Sequence, residues 1–292
     1  MNSNVSVIIP VYNEERNIEY VIKGVEKYCE NIIIVDDKST DKSYEIIKNL
    51  QQRFSEKIIV LQNDKNSGIG YSVKKGMKKA LELNNDIIIK FDGDNQHLPE
   101  DIPKFKTKLI NDQLDLIKGN RFLINEYSEP MPNLKILGNL ITTNLQKLVS
   151  GNYKISDPNN GFLAIKKVVL NTVDFKKLKN NYYFENSLLI YISSMGLKIG
   201  EVPIKTIYRD EKSSIPIFTA SIKLLPTFLY FFYLRNVLNA KFNLSINSIV
   251  FFIILSLFVA NLFLNIFIVW FLCLIMLIIY LFIDIFNFYR NE

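Results

Sequence analysis

Two aspartates separated by one glycine, Asp92-Gly93-Asp94, close an apolar run that begins at Ile87, and Gln96, His97 and Pro99 follow them. Carboxylates held this close repel each other unless a positive charge lies between them. Hard oxygen donors of this kind suit Mg2+ or Mn2+ carrying a diphosphate. For the tripeptide alone, a polar turn that merely ends a strand is the alternative. Two further polar clusters share its setting. Pro10-Val-Tyr12-Asn13-Glu14 follows the run Val5–Ile9, and Val35-Asp36-Asp37-Lys-Ser39-Thr-Asp41 closes the run that starts at Asn31. A lone Asp-Asp at a strand end most often caps a helix. Three clusters in this order would instead converge on one edge of a sheet, where open α/β sheets hold their ligands. Tyr12 would there offer a ring to pack on a base, the acidic groups would accept from base and ribose, and Asp92 and Asp94 would face a metal-bound diphosphate.

The elements that must position these groups alternate. Strands are expected at Val5–Ile9, Asn31–Val35, Ile58–Leu61 and Ile87–Phe91. Helices between them carry Ile18, Val21, Ile22 and Val25, then Ile46, Ile47 and Leu50, then a third running to about Leu83. Asn13 reads as an N-cap with Glu14 and Glu15 in the first turn. The loop Asn63–Gly70 contains Asn66, Gly68 and Gly70. Such alternation predicts an α/β fold with a mostly parallel sheet. Beyond Pro99 a fourth helix is expected, then strands at Leu114–Lys118, Phe162–Ile165 and Lys198–Ile204. Helices are expected at 134–149 and at Tyr183–Met195, with a loop over 125–132. The lysines at 74, 75, 78 and 79 read as a solvated helix face.

After Arg209 the character changes. Ile215–Leu238 is rich in Phe, Leu and Tyr but carries Lys223, Pro226 and Arg235, as suits helices in a membrane interface. Ile246–Ile283 contains no charged residue and no histidine over 38 positions. At about 1.5 Å per residue these span roughly 57 Å, nearly twice a hydrocarbon core of about 30 Å. Two helices turning near Asn261–Asn265 fit, with Lys241 and Arg290 flanking them on the cytoplasmic side. Met1–Asn4 is short and polar, so no signal peptide is expected and the N-terminal part is expected to be cytoplasmic. Cys29 and Cys273 stand far apart and suggest neither a disulfide framework nor a zinc site. The formal charge of +6 suits an anionic membrane, a phosphorylated substrate or nucleic acid. No basic stripe interleaved with aromatics supports the last of these.

With these motifs the chain resembles the family 2 glycosyltransferases, which have the GT-A nucleotide-diphospho-sugar transferase fold, over about residues 5 to 212. Within that family it is similar to the polyprenyl- and dolichyl-phosphate hexosyltransferases, the dolichol-phosphate mannose synthase group. The resemblance rests on residues 10–14, on Val35-Asp36-Asp37, on Asp92–His97 with Pro99-Glu100-Asp101, on Glu201-Val-Pro-Ile204 and on Tyr208-Arg209. It implies that Pro10, Tyr12, Glu14, Val35, Asp37 and Gly93 bind the nucleotide-sugar. Asp92, Asp94 and Gln96 would hold Mg2+ or Mn2+ with the diphosphate, Asp94 and Gln96 as the principal ligands. Arg121, Arg209 and Lys212 would grip phosphates, and Asp94, Arg121 and Arg209 would carry catalysis. Three departures stand out. Gly119-Asn120-Arg121 replaces the family's Gly-Ser-Arg, Asn160 replaces serine in Asp157–Phe162, and Lys212-Ser213-Ser214 stands where Gly-x-Ser-Lys is usual.

The implied activity is inverting transfer of a hexose from a nucleotide-sugar of the GDP-mannose or UDP-glucose type to a polyprenyl or dolichyl phosphate at the cytoplasmic membrane face. The expected organisation is a catalytic domain over 1–212, interfacial helices over 213–243 and a transmembrane hairpin over 244–292, hence a multi-pass membrane protein. Self-association into a homo-oligomer stays open. Two rivals remain at this point: a membrane glycosyltransferase with another acceptor, and a catalytically silent nucleotide-sugar-binding scaffold. A processive synthase is disfavoured, since its Gln-x-x-Arg-Trp motif is missing and the single tryptophan, Trp270, lies in the hairpin.

Overall fold

Alternating Val and Ile side chains build a sheet that is covered on both faces. The computed structural model describes residues 3–54, 56–123, 143–207, 217–242, 246–264 and 267–290. Seven strands form one sheet: β1 Val5–Val11, β2 Asn31–Asp36, β3 Ile58–Gln62, β4 Ile87–Lys90, β5 Leu116–Asn120, β6 Leu163–Lys166 and β7 Ile199–Pro203, in the order β3-β2-β1-β4-β6-β5-β7. β1 pairs in parallel with β2 and β4, β2 with β3, and β5 with β7. β6 runs antiparallel between β4 and β5, so the sheet is mixed but mostly parallel.

Helices α1 Ile18–Val25, α2 Ser43–Arg53, α3 Ile69–Glu82 and α4 Ile102–Asn111 connect the early strands. Val7 and Ile9 face the side where Ile18, Ile22, Ile47, Phe105 and Leu109 pack. The alternate residues Ile8 and Val35 face α3 at Gly76. Period-two alternation in a strand thus meets a helical stripe on each face. Asn13 is not the cap of α1, which begins at Ile18. It takes a left-handed φ of 58°, and its side chain accepts from Thr40 N at 2.8 Å. Its position one turn too early made it a linker between the loops after β1 and β2.

Residues 143–150 (α5), Lys167–Leu170 (α6) and Phe184–Ser194 (α7) follow, then α8 Ile217–Phe242, α9 Ile246–Leu264 and α10 Phe267–Arg290. The chain divides into two compact units, one holding the sheet and the other holding 137–155, 189–196 and 214–292. In the second unit Phe251, Ile254 and Tyr280 form a small core. Arg235, expected among lipid headgroups, is only 5% exposed. It bonds Asp284 and the Leu148 carbonyl instead, and Tyr153 donates to the same aspartate at 3.1 Å. Val269–Asn287 is long and apolar enough to cross a membrane, whereas the apolar stretch Ser248–Asn261 of α9 is shorter.

Candidate functional site

The C-terminal ends of β1, β2, β3 and β4 open on a cleft of about 370 Å³. Pro10, Tyr12, Glu14, Asp37, Asp92, Gly93 and Asp94 line it, so the three clusters seen in the sequence meet there. Val11, Asn66, Gly68, Ile69 and Ser72 complete the wall. Val35 is fully buried in the sheet rather than on the cleft wall. Gln96 sits just past the wall, its N–H donating to Asp94 Oδ1 at 3.1 Å. Arg121 belongs to a neighbouring cluster, and Arg209 and Lys212 lie outside the described residues.

Strand ends hold the cleft open by cross-bracing. The Asn13 N–H donates to Ser39 Oγ (3.0 Å), the Glu14 N–H to Ser43 Oγ (2.7 Å) and the Glu15 N–H to Asp41 Oδ2 (3.1 Å). Asp37 is 3% exposed. Its carboxylate accepts from Asn63 Nδ2 (2.7 Å), Ser67 N (2.8 Å) and Gly68 N (2.8 Å). It therefore ties the end of β2 to the loop that starts α3. A carboxylate taking three N–H bonds fixes that loop in place. Asn95, at φ 58°, turns the chain after Asp94. The Ile207 N–H donates to the Gln96 carbonyl at 3.0 Å, and His97 bridges to Thr206.

Behind Asp92 lies a buried ionic group that sequence reasoning missed. Lys90 Nζ is 2.7 Å from Asp92 Oδ1 and 2.6 Å from Glu185 Oε1. Burial alone would lower the Lys90 pKa, but the charges of Asp92 and Glu185 outweigh it and hold it above the ordinary lysine value. Burial would likewise raise Asp92, and Lys90 overrides that, with help from His97, to keep the carboxylate below its usual range. A second lysine, Lys118, donates to the Asn160 carbonyl at 2.6 Å. Burial pushes it down to about 8. The signal was available: each lysine stands inside an apolar strand, and a buried charge must find a partner.

Arg121 grips Asp157 in a two-pronged contact, Nε to Oδ2 and Nη2 to Oδ1, both 2.8 Å. The turn that carries Asp157 ends at Gly161, which abuts the Asp92 carboxylate. Among the described residues no cluster of three or more His, Cys, Asp or Glu side chains could cage a metal. The donor set fits Mg2+ or Mn2+ bound in another way, through one carboxylate and substrate phosphates. Asp94 lines the cleft with oxygen donors, whereas the Asp92 charge is already matched by Lys90.

A sequence model described as Glycosyl transferase family 2 matches residues 6–174. The UDP-N-acetylglucosamine–dolichyl-phosphate N-acetylglucosaminyltransferase of Methanococcus voltae is 36% identical over 216 residues, covering 70% of this chain and 86% of that one. The dolichol-phosphate mannosyltransferase of Pyrococcus furiosus is 30% identical over 204 residues, covering 68% and 55%. Among solved structures, glucosyl-3-phosphoglycerate synthase of Mycobacterium tuberculosis, in complex with Mn2+, UDP and glucosyl-3-phosphoglycerate, superposes with a TM-score of 0.57 at 15% identity, covering 80% of each chain.

Proposed function

The chain belongs to glycosyl transferase family 2, and from that premise we propose that it transfers a sugar from a nucleoside-diphosphate sugar to a polyprenyl phosphate of the dolichyl type. The observation that carries this reading is the convergence of Tyr12, Glu14, Asp37 and Asp94 on one cleft at the C-terminal sheet edge. The Methanococcus voltae relative, the more similar of the two named transferases, favours UDP-N-acetylglucosamine over a plain hexose donor.

An oxygen of the acceptor phosphate attacks the anomeric carbon as the bond from that carbon to the diphosphate breaks, and the diphosphate leaves with the electron pair. Configuration inverts. The attacking oxygen is already ionised, so orientation and charge stabilisation do most of the work. Tyr12 packs on the base, while Glu14 and Asp37 bind or frame the nucleoside, and Pro10, Val35 and Gly93 shape its backbone surroundings. Arg121, Arg209 and Lys212 grip phosphates, the arginines by two-pronged contacts. Asp94 and Gln96 would hold Mg2+ or Mn2+, with Asp92 beside them; the ion, when bound, supplies positive charge to the leaving diphosphate.

The apolar C-terminal part carries this chemistry to a lipid. In this reading residues 1–212 are the cytoplasmic catalytic domain, 213–243 lie in the interface and 244–292 cross the bilayer as a hairpin. Support comes from the apolar length of α10 and from the basic residues flanking the uncharged run. The test uses membranes bearing the full chain, a panel of GDP- and UDP-sugars, polyprenyl phosphate and Mn2+, with product detected by mass spectrometry. UDP-N-acetylglucosamine is expected to give glycosylated polyprenyl phosphate, and Asp94→Ala to slow it about 100-fold or more. No transfer from any donor would refute the reading.

A further inference from the structure

Glu201 lies in β7, beside Lys118 of β5. Its Oε1 accepts from Ser156 N (2.8 Å) and Asp157 N (2.9 Å). Its Oε2 accepts from Asn120 Nδ2 at 2.8 Å. Asn120, in turn, accepts from the Phe122 N–H at 2.7 Å. Asp157, whose backbone Glu201 holds, accepts from Arg121 three times: from the backbone N–H at 3.1 Å and from the guanidinium at Nε and Nη2. The relay runs from a strand of the sheet, through the start of the 157–161 turn, to the guanidinium plane. Burial raises the Glu201 pKa and the N–H donors oppose it.

A partly buried carboxylate whose three hydrogen-bond donors are all neutral N–H groups is an expensive way to pin a turn. It is well suited to setting a direction. A guanidinium is planar, so fixing Nε and Nη2 fixes where its remaining N–H bonds point. We propose that Glu201, with Asn120, is a positioning residue for Arg121: by holding the Ser156–Asp157 backbone it sets the carboxylate that aims the guanidinium at the acceptor phosphate. This rests on the reading of Arg121 as a phosphate-gripping residue. It also gives Asn120, which departs from the family's serine, a task serine is too short to perform, since its amide bridges Glu201 and Phe122 N at once.

The hydrogen-bond arithmetic supplies a test. In Glu201→Gln an amide N–H must face either Asn120 Nδ2 or the Ser156 and Asp157 N–H groups. Turning Asn120 over sets its NH2 against Phe122 N–H, so no arrangement satisfies every group. In the double variant Asn120→Asp/Glu201→Gln, the new aspartate accepts from both the glutamine and Phe122 N, and the net charge is conserved. Binding of farnesyl phosphate and of UDP is measured on the full chain in detergent, alongside thermal unfolding. Glu201→Gln is expected to weaken farnesyl phosphate roughly tenfold with UDP within about twofold, and the double variant to recover most of the loss. Equal losses for both ligands, a drop in stability with farnesyl phosphate binding intact, or a double variant no better than the single would overturn the proposal. Arg121→Lys serves as the separate arm. If it leaves farnesyl phosphate binding unchanged, the reading of Arg121 fails; if it weakens binding and Glu201→Gln does not, only the positioning role fails.

Discussion

Replacing Gly161 with alanine tests how tightly the site behind the cleft is built. An added Cβ would lie 1.9 Å from Asp92 Oδ2 and 2.6 Å from Lys90 Nζ. Ordinary contact begins near 3.4 Å, so the carboxylate must retreat by about 1.5 Å. Lys90 cannot follow freely, because Glu185 holds it at 2.6 Å and it is 1% exposed. The backbone at Gly161 is not left-handed, so the substitution carries no conformational strain, and stiffening the unfolded chain returns about 0.4–1 kcal/mol. Overpacking costs about 1–3 kcal/mol, which leaves a net destabilisation of about 1–2 kcal/mol. A shift of about 1 Å in a charged group at a reacting centre lowers turnover on the order of 100-fold. The larger effect is therefore expected on transfer rate, read from initial rates with saturating donor and Mn2+ beside thermal unfolding of the same sample. Wild-type turnover would show that the position of Asp92 does not matter to the chemistry.

Two other outcomes follow from the buried polar groups. Asp37→Ala strips three N–H groups of their acceptor and is expected to weaken UDP binding about 10-fold or more, and stability by about 2 kcal/mol; calorimetric titration with UDP that matches wild type would remove its role in shaping the nucleoside side of the cleft. Lys118 has a folded pKa of about 8 against an ordinary 10.5, so between those values the unfolded chain binds more protons and stability rises with pH. The depressed base costs about 3 kcal/mol at pH 7. Lys118→Met should recover part of that, less its bond to Asn160, and flatten the rise. It is read as the difference between wild type and variant, because burial pushes the Cys29 thiol up to about 12 and opposes the trend above pH 9. Parallel stability curves for the two proteins from pH 7 to 10 would contradict the assignment.

The strands β1 to β4 and the cleft they close are legible because parallel strands buried on both faces carry almost nothing but Val and Ile, and polar clusters at their ends stand out. β6 is harder to place. Its four residues could lie anywhere in a sheet, and only pairing with both β4 and β5 sets it antiparallel between them. Asp36 and Asp37 look alike in sequence, yet Asp36 turns to Ser39 and Gln62 while Asp37 reaches the α3 loop; strand alternation separates them, and apart from Ser39, three positions on, the partners come from residues about 26 to 31 positions on. Lys90 could be recognised as needing an acidic partner, but Glu185 lies too far along the chain for any local pattern to name it. Arg235 misleads in the same manner, since an arginine in an apolar helix reads as a surface group until Asp284 is brought to it.

During synthesis, β4 emerges long before the strand that will cover its second edge: Ile88 and its partner Ile165 are 77 positions apart. At about 5–20 residues per second this interval lasts roughly 4–15 s. Through it the strand has β1 on one side and an open apolar edge on the other, the kind of edge that recruits other chains. Lys90 stands at the end of that edge, opposite the position Leu163 will fill. An ammonium there discourages intermolecular pairing, as charged residues flanking hydrophobic strands do. The lysine that ends between Asp92 and Glu185 guards the nascent strand first.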